Sequence, residues 1–291
     1  MSPPVILLKG EQSPCLMENL NDYTDATESQ APSSASMIFM KMDPASLYTN
    51  YEFLLSMLII AAAPVVVILL QILVTRGANN NTQARPSSSS FHHRRRIQHI
   101  LTGVLFYGLS FVLSQFLASV ILGIATIIFY GLLKARSVSN TVQENYMKLF
   151  GPLLRDRELN LNTLPGAFWF LVGTFIVVSL FEINIARTSL LCLSFGDPIA
   201  AMVGISCGGP RLCVYSDGSG NSGSKTLAGC AACFWASFFV AFFSLNNFGP
   251  DVWLITGVAA TVMEASSCAI DDNVLIPVGT GFVLWLYINH G

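Results

Sequence analysis

Charge is what this sequence has least of. Only 11% of its 291 residues are Asp, Glu, Lys or Arg, while 53% are hydrophobic; soluble domains carry about 25% charged residues. That shortage argues against a soluble globular protein, and a net charge of −2 gives no support to a nucleic-acid partner. A disulfide framework is also missing. Cys192, Cys230, Cys233 and Cys268 lie in or beside apolar runs, with Cys207 and Cys213 in a connector. Cys230-x-x-Cys233 has redox spacing but no partner ligands, so small-residue helix packing accounts for it better. No internal repeat is visible, which leaves an inverted-repeat transporter unsupported. Residues 1–50 lack the basic start and adjoining apolar core of a signal peptide, and the arginines of a transit peptide.

What the chain does have is long apolar runs separated by polar connectors. A membrane-spanning helix needs about 20 apolar residues. Candidate spans are 54–74, 164–182, 188–206, 226–245, 252–270 and 274–289. The uncharged stretch 100–133 is too long for one span and is expected to turn at Ser114-Gln115, giving two short helices. The fold expected is therefore all-α: a polytopic integral membrane protein of about eight transmembrane helices. An acidic, polar tail at 1–50 is expected to be disordered, with the membrane-embedded domain over 51–291. The mixed apolar and charged stretch 142–159 suits an amphipathic helix at the interface, and the Ser-rich stretch 79–93 a linker.

Basic residues give this layout a direction, because Lys and Arg favour cytoplasmic loops. The connectors 75–99, 134–163 and 207–225 hold twelve of the fifteen, and in an eight-span arrangement all three lie on one face. The active face is therefore expected to be cytoplasmic.

Within this apolar chain the exceptions carry the chemistry. Asp197 sits halfway along a predicted span in SFGDPIAAMVG, with Gly196 and Pro198 beside it. An ionised carboxylate in lipid costs a few kcal/mol or more. It is expected to face a cation or substrate, where a broken helix lines a polar cavity. GNSGSKTLAG (220–229) brings Lys225 and Thr226 to the start of an apolar helix, where backbone N–H groups and a lysine suit a phosphate. It is not a Walker A loop, since Ser224 separates Gly223 from Lys225. Asp271, Asp272 and Asn273 lie between two spans on the same face, and Glu264 is buried in the preceding one. These hard oxygen donors suit Mg²⁺ held jointly with phosphates. Arg94, Arg95 and Arg96 precede His99 where the chain enters the membrane. Arginines are expected there as anchors; the histidine has no topological role. Carboxylates that hold Mg²⁺, with cations that hold phosphates, describe phosphoryl or nucleotidyl transfer, and the membrane location implies a lipid acceptor.

These pieces occur in an order that resembles the integral-membrane CTP-dependent lipid kinases: the CTP-using diacylglycerol kinase, phytol kinase and dolichol kinase. They belong to a wider superfamily with phosphatidate cytidylyltransferase. The resemblance covers roughly 94–289. It is carried by Arg95, Arg96, His99 and Gly103; by LPGAFWFLVG; by Gly196, Asp197, Ala200 or Ala201, and Gly204; by Lys225, Thr226 and Gly229; and by Glu264, Asp271, Asp272 and Asn273. Arg96 departs from the family's usual lysine, and the spacer 207–222 is longer than usual. The short chain is more similar to the diacylglycerol and phytol kinases than to dolichol kinase.

The resemblance implies a phosphotransferase with CTP as donor, Mg²⁺ as cofactor and a membrane lipid alcohol as acceptor, placed in the endoplasmic reticulum. It implies that Asp197, Asp271, Asp272, Asn273 and Glu264 serve the metal. Arg95, Arg96, Gly196, Gly204, Lys225, Thr226 and Gly229 would serve the nucleotide. Asp197, Lys225, Asp272 and His99 would serve catalysis, with Asp272, Glu264 and His99 all open as general base. The alternative is phosphatidate cytidylyltransferase, whose closing Lys-Asp, His-Gly-Gly and Asp-Arg-x-Asp runs are not found here. A transporter or channel is the alternative of another class.

Overall fold

A computed structural model describes residue 66 and residues 88–151, 154–161, 163–216, 222–267 and 270–291. The expected tail 1–50, the span 54–74, most of the linker 79–93 and Cys268 lie outside the described residues. The chain is mainly helical. The stretch 100–133 does divide where Ser114 and Gln115 predict: α1 runs Ser88–Leu109 and α2 Gln115–Val138. Ser114 caps α2, its hydroxyl accepting from Leu117 N–H at 3.4 Å. The short α3 (Asn140–Phe150) overlaps the first half of the stretch 142–159 expected to be amphipathic. Then come α4 (Gly166–Leu180) and α5 (Ile183–Leu191).

A single π turn, Cys192–Gly196, joins α5 to α6 (Asp197–Cys207). Pro198 explains the irregularity. It has no N–H for the carbonyl of Ser194 four residues back, so the regular ladder cannot run through. The last three helices are α7 (Leu227–Ser244), α8 (Pro250–Ser266) and α9 (Asp272–His290). Their ends fall within a few residues of the predicted spans, because Gly249-Pro250 starts α8 and the Asp271 carboxylate caps α9.

One expectation fails. The fold expected is all-α, yet in the connector 207–225 β1 (Arg211–Ser216) pairs antiparallel with β2 (Ser222–Thr226), so the chain is mainly but not purely α-helical. Polar residues at Gly/Ser-rich turns look like a loop whether or not the flanks pair.

Among the described residues, three helices are long and apolar enough to cross a membrane: Gln115–Val138, Ile183–Cys207 and Leu227–Ser244. Gly166–Leu180 is a shorter apolar helix. Large apolar side chains point outward from them, among them Ile127 and Ile128 of α2 and Trp235 and Phe243 of α7. Such faces are stable against lipid and costly against water. Inside, Val177, Phe181, Ile185, Leu245, Val252 and Leu284 form one core cluster, and Phe170, Leu190, Leu193 and Ile276 a second. Cys192 and Cys233 share a third with Ala200 and Ala260, as expected of packing cysteines.

Candidate active site

The π turn delivers Asp197 to a point where α6, α8 and α9 meet. Carboxylate oxygens of Asp197, Glu264 and Asp272 lie within 4.8 Å of one another. Residues separated by up to 75 positions in sequence thus form one cluster of hard oxygen donors. Glu264 is 2% exposed, and its Oε2 has no hydrogen-bond partner among the described residues. A buried, unpartnered carboxylate oxygen beside two more acids fits a cation of the Mg²⁺ type.

Lys225, at the end of β2, reaches into the same cluster. Its Nζ donates to Glu264 Oε1 at 2.5 Å and stands 3.8 Å from Asp272 Oδ2. Burial alone would pull the Lys225 ammonium down, but Glu264, Asp272 and Asp197 outweigh it and hold it above its ordinary range. The hairpin missed in the sequence is what aims this lysine.

Asn273 orders the acids that open α9. Its Nδ2 donates to Asp271 Oδ1 at 2.6 Å and to Asp272 Oδ1 at 3.3 Å, and its backbone N–H reaches both at 3.1 Å. Burial, then the adjacent Asp272, push the Asp271 carboxyl up against these bonds. Asp271 is the helix cap, outside the cluster formed by Asp197, Glu264 and Asp272. Asn273, expected among the metal residues, positions the acids through its amide; its Oδ1 is buried without a partner among the described residues.

On the other side stand arginines held by a residue that the sequence did not single out. Glu158, 3% exposed, lies 3.8 Å from Arg95 Nη1 and 4.0 Å from Arg155 Nε. It accepts from the N–H groups of Arg155 at 3.0 Å and Gly166 at 3.1 Å. Burial lowers the Arg155 guanidinium, but Asp272, Glu158, Asp271 and Asp197 more than compensate and hold it above its ordinary range. Arg95 and Arg96 both lie within electrostatic reach of Asp197. His99, on the same helix, sets its ring edge-on to Phe170 at 4.9 Å, and its Nε2 is buried without a partner among the described residues.

The glycines expected at the nucleotide serve helix approach here. A Cβ on Gly204 would stand 2.8 Å from Thr226 Oγ1, and one on Gly229 2.7 Å from the Ala200 carbonyl. α6 and α7 therefore touch along bare backbone. Thr226 caps α7, its hydroxyl accepting from Gly229 N–H at 3.2 Å. Gly196 packs beside Cys233 and Ser237. Together these contacts fix the separation between Asp197 and Lys225.

Beside the cluster lies an apolar cavity of about 420 Å³, with Arg95, His99, Glu158 and Asn273 at its polar end.

No family model and no solved structure matches the chain. Curated proteins do match. The CTP-dependent diacylglycerol kinase 1 of Schizosaccharomyces pombe is 30% identical over 158 residues, 48% of this chain and 67% of that protein. The chain belongs to the CTP-dependent lipid kinase family. The kinases of the same name from Eremothecium gossypii and Saccharomyces cerevisiae agree, at 29% and 27% identity over 46% of this chain. The chain spans about half the length of these two family members, 47% and 51%.

Proposed function

We propose that this protein transfers the γ-phosphoryl group of CTP to the hydroxyl of a membrane lipid alcohol, with diacylglycerol the favoured acceptor. The convergence of Asp197, Glu264 and Asp272 on Lys225 carries the reading. Such a set suits a nucleotide-phosphate site, and the relatives named above are kinases of this class. Eight spans, with the basic connectors and this site on the cytoplasmic side of the endoplasmic reticulum, are part of the same proposal.

Asp197, Glu264 and Asp272 would hold Mg²⁺, which when bound would draw charge from the phosphate oxygens. Lys225 faces the phosphates, with Arg95 and Arg155 as further cations and Arg96 at the outer edge. The lipid oxygen forms its bond to Pγ as the bond from Pγ to the β–γ bridging oxygen breaks, releasing CDP. The hydroxyl proton passes to a base; His99, Asp272 and Glu264 are the candidates, and of these His99 lines the cavity. Catalysis here is mainly positioning and charge.

The test uses membranes containing the protein, Mg²⁺ and CTP labelled at either the α- or the γ-phosphorus, with diacylglycerol, phytol, dolichol and phosphatidate offered in turn. γ-Label on diacylglycerol is the expected result. γ-Label on phytol or dolichol alone would replace the acceptor. α-Label entering phosphatidate would overturn the kinase reading in favour of a cytidylyltransferase.

A further inference from the structure

The apolar cavity has a length and two distinct ends. It follows α1 from Arg95 to Leu109, a rise of about 21 Å at 1.5 Å per residue. Helices α2, α3, α4 and α5 supply most of its other walls, which are largely aliphatic and aromatic. The Thr174 hydroxyl, part of the lining, is already committed to the Phe170 carbonyl at 2.8 Å. Unpartnered polar atoms, His99 Nε2 and Asn273 Oδ1, occur at the end beside the carboxylates. Toward the opposite end the lining includes Arg187. Its Nε donates to Ser110 Oγ at 2.8 Å, its Nη2 to the Ser110 carbonyl at 2.5 Å, and its guanidinium lies over the Phe111 ring at 4.0 Å.

We infer that this cavity holds one hydrocarbon chain of the lipid acceptor and that the Arg187–Ser110 clamp limits the length it accepts. The inference rests on the lipid-kinase reading and deepens it. Three observations favour an acyl chain over other occupants. The walls offer a hydrocarbon dry contact but give a polar ligand few partners, and apolar cavities of this kind take apolar guests. Polar atoms in need of a partner lie where the hydroxyl end would sit, next to Asp272. At the far end the apolar lining meets a clamped cation, Arg187, so the apolar run matches a fatty acyl group in length better than a polyprenol. The second chain of a diacylglycerol would stay in the bilayer.

Ala125 of α2 lines the cavity about midway and gives the test. Phosphorylation of dioctanoylglycerol and dioleoylglycerol is compared in the wild type and in Ala125→Phe. The expected result is at least a tenfold fall in kcat/KM for the dioleoyl acceptor relative to the dioctanoyl one. Equal loss on both, or no change on either, would overturn the inference.

A measurement on the wild type does not depend on turnover or on how the variant folds. Diacylglycerol with a diazirine at the tip of one chain is irradiated in the membrane, and the adduct is mapped by mass spectrometry. Labelling at Leu113, Ala118 or Leu122, which line the cavity, supports the inference even if no lipid is phosphorylated, in which case the kinase reading alone fails. Labelling confined to the outward residues of α2, such as Ile127 and Ile128, overturns the inference even if the enzyme is active.

Discussion

The Lys225 ammonium is shared between two acids, 2.5 Å from Glu264 Oε1 and 3.8 Å from Asp272 Oδ2. One side chain thereby ties the hairpin end to α8 and α9. Its charge would serve two purposes: to make a buried glutamate tolerable and to meet a phosphate.

These two purposes separate by mutation. Lys225→Met should lower CTP-dependent lipid phosphorylation by about 10²–10³-fold, the scale of losing one preorganised charge. It should also cost about 3–5 kcal/mol of stability, because Glu264 is left buried and unpaired. Adding Glu264→Met should recover the thermal stability in detergent and none of the activity. Recovery of both would mean that the ion pair is purely structural.

Asp197 is the acid that the π turn alone positions. Asp197→Asn keeps size and hydrogen-bonding capacity but removes the charge, so turnover should fall by about 10³-fold or more. The protein should still insert and keep its melting temperature. In the wild type, chelation of divalent cations should abolish turnover and Mg²⁺ should restore it, whereas Ca²⁺, larger and more loosely coordinated, should not. Activity unaffected by a chelator would count against the cation site.

Glu158 separates two arginines that otherwise repel each other. Glu158→Ala should therefore destabilise the junction of α1 and α4 by about 3–5 kcal/mol. Glu158→Gln retains the acceptor for Gly166 N–H and should be milder. Detergent melting curves of the two variants, compared with KM for CTP, would show whether the arginines remain in place.

Gly103 and Gly108 lie on the same helix with opposite expectations. A Cβ on Gly103 would collide with the Ser194 side chain at the π turn, whereas one on Gly108 meets nothing within 4 Å. Gly103→Val should cost about 1–3 kcal/mol or more from overpacking. Gly108→Ala should be neutral or stabilising by up to about 1 kcal/mol. Limited proteolysis in detergent would rank them.

Asp197 and Glu264 were legible in the sequence because charge inside apolar runs has few explanations, and Lys225 and Asp272 because they stand where polar connectors meet those runs; the structure brings all four together. His99 was legible for the same reason. Glu158 was not, since an acid in an amphipathic connector looks like any solvated one until burial is known. The pairing of 211–216 with 222–226 escaped because this Gly- and Ser-rich stretch carries no strand periodicity. Gly204 and Gly229 stand at the expected place, but residue type alone does not distinguish a glycine that admits a ligand from one that admits a neighbouring helix. The division at Ser114-Gln115 was legible, and the starts of α8 and α9 fall two residues before the predicted spans, where Pro250 and the Asp271 cap set them.

The π turn over Cys192–Gly196 has a consequence for how this helix tolerates insertions and deletions. It adds one residue to the helical winding, and each residue in a helix turns the next by about 100°. Deleting a single residue from 192–196 would remove that extra residue, shorten the span by only about 1.5 Å, and rotate Asp197 out of line with Glu264 and Asp272. The span would lose its function by angle alone, with its hydrophobicity intact and its length nearly so.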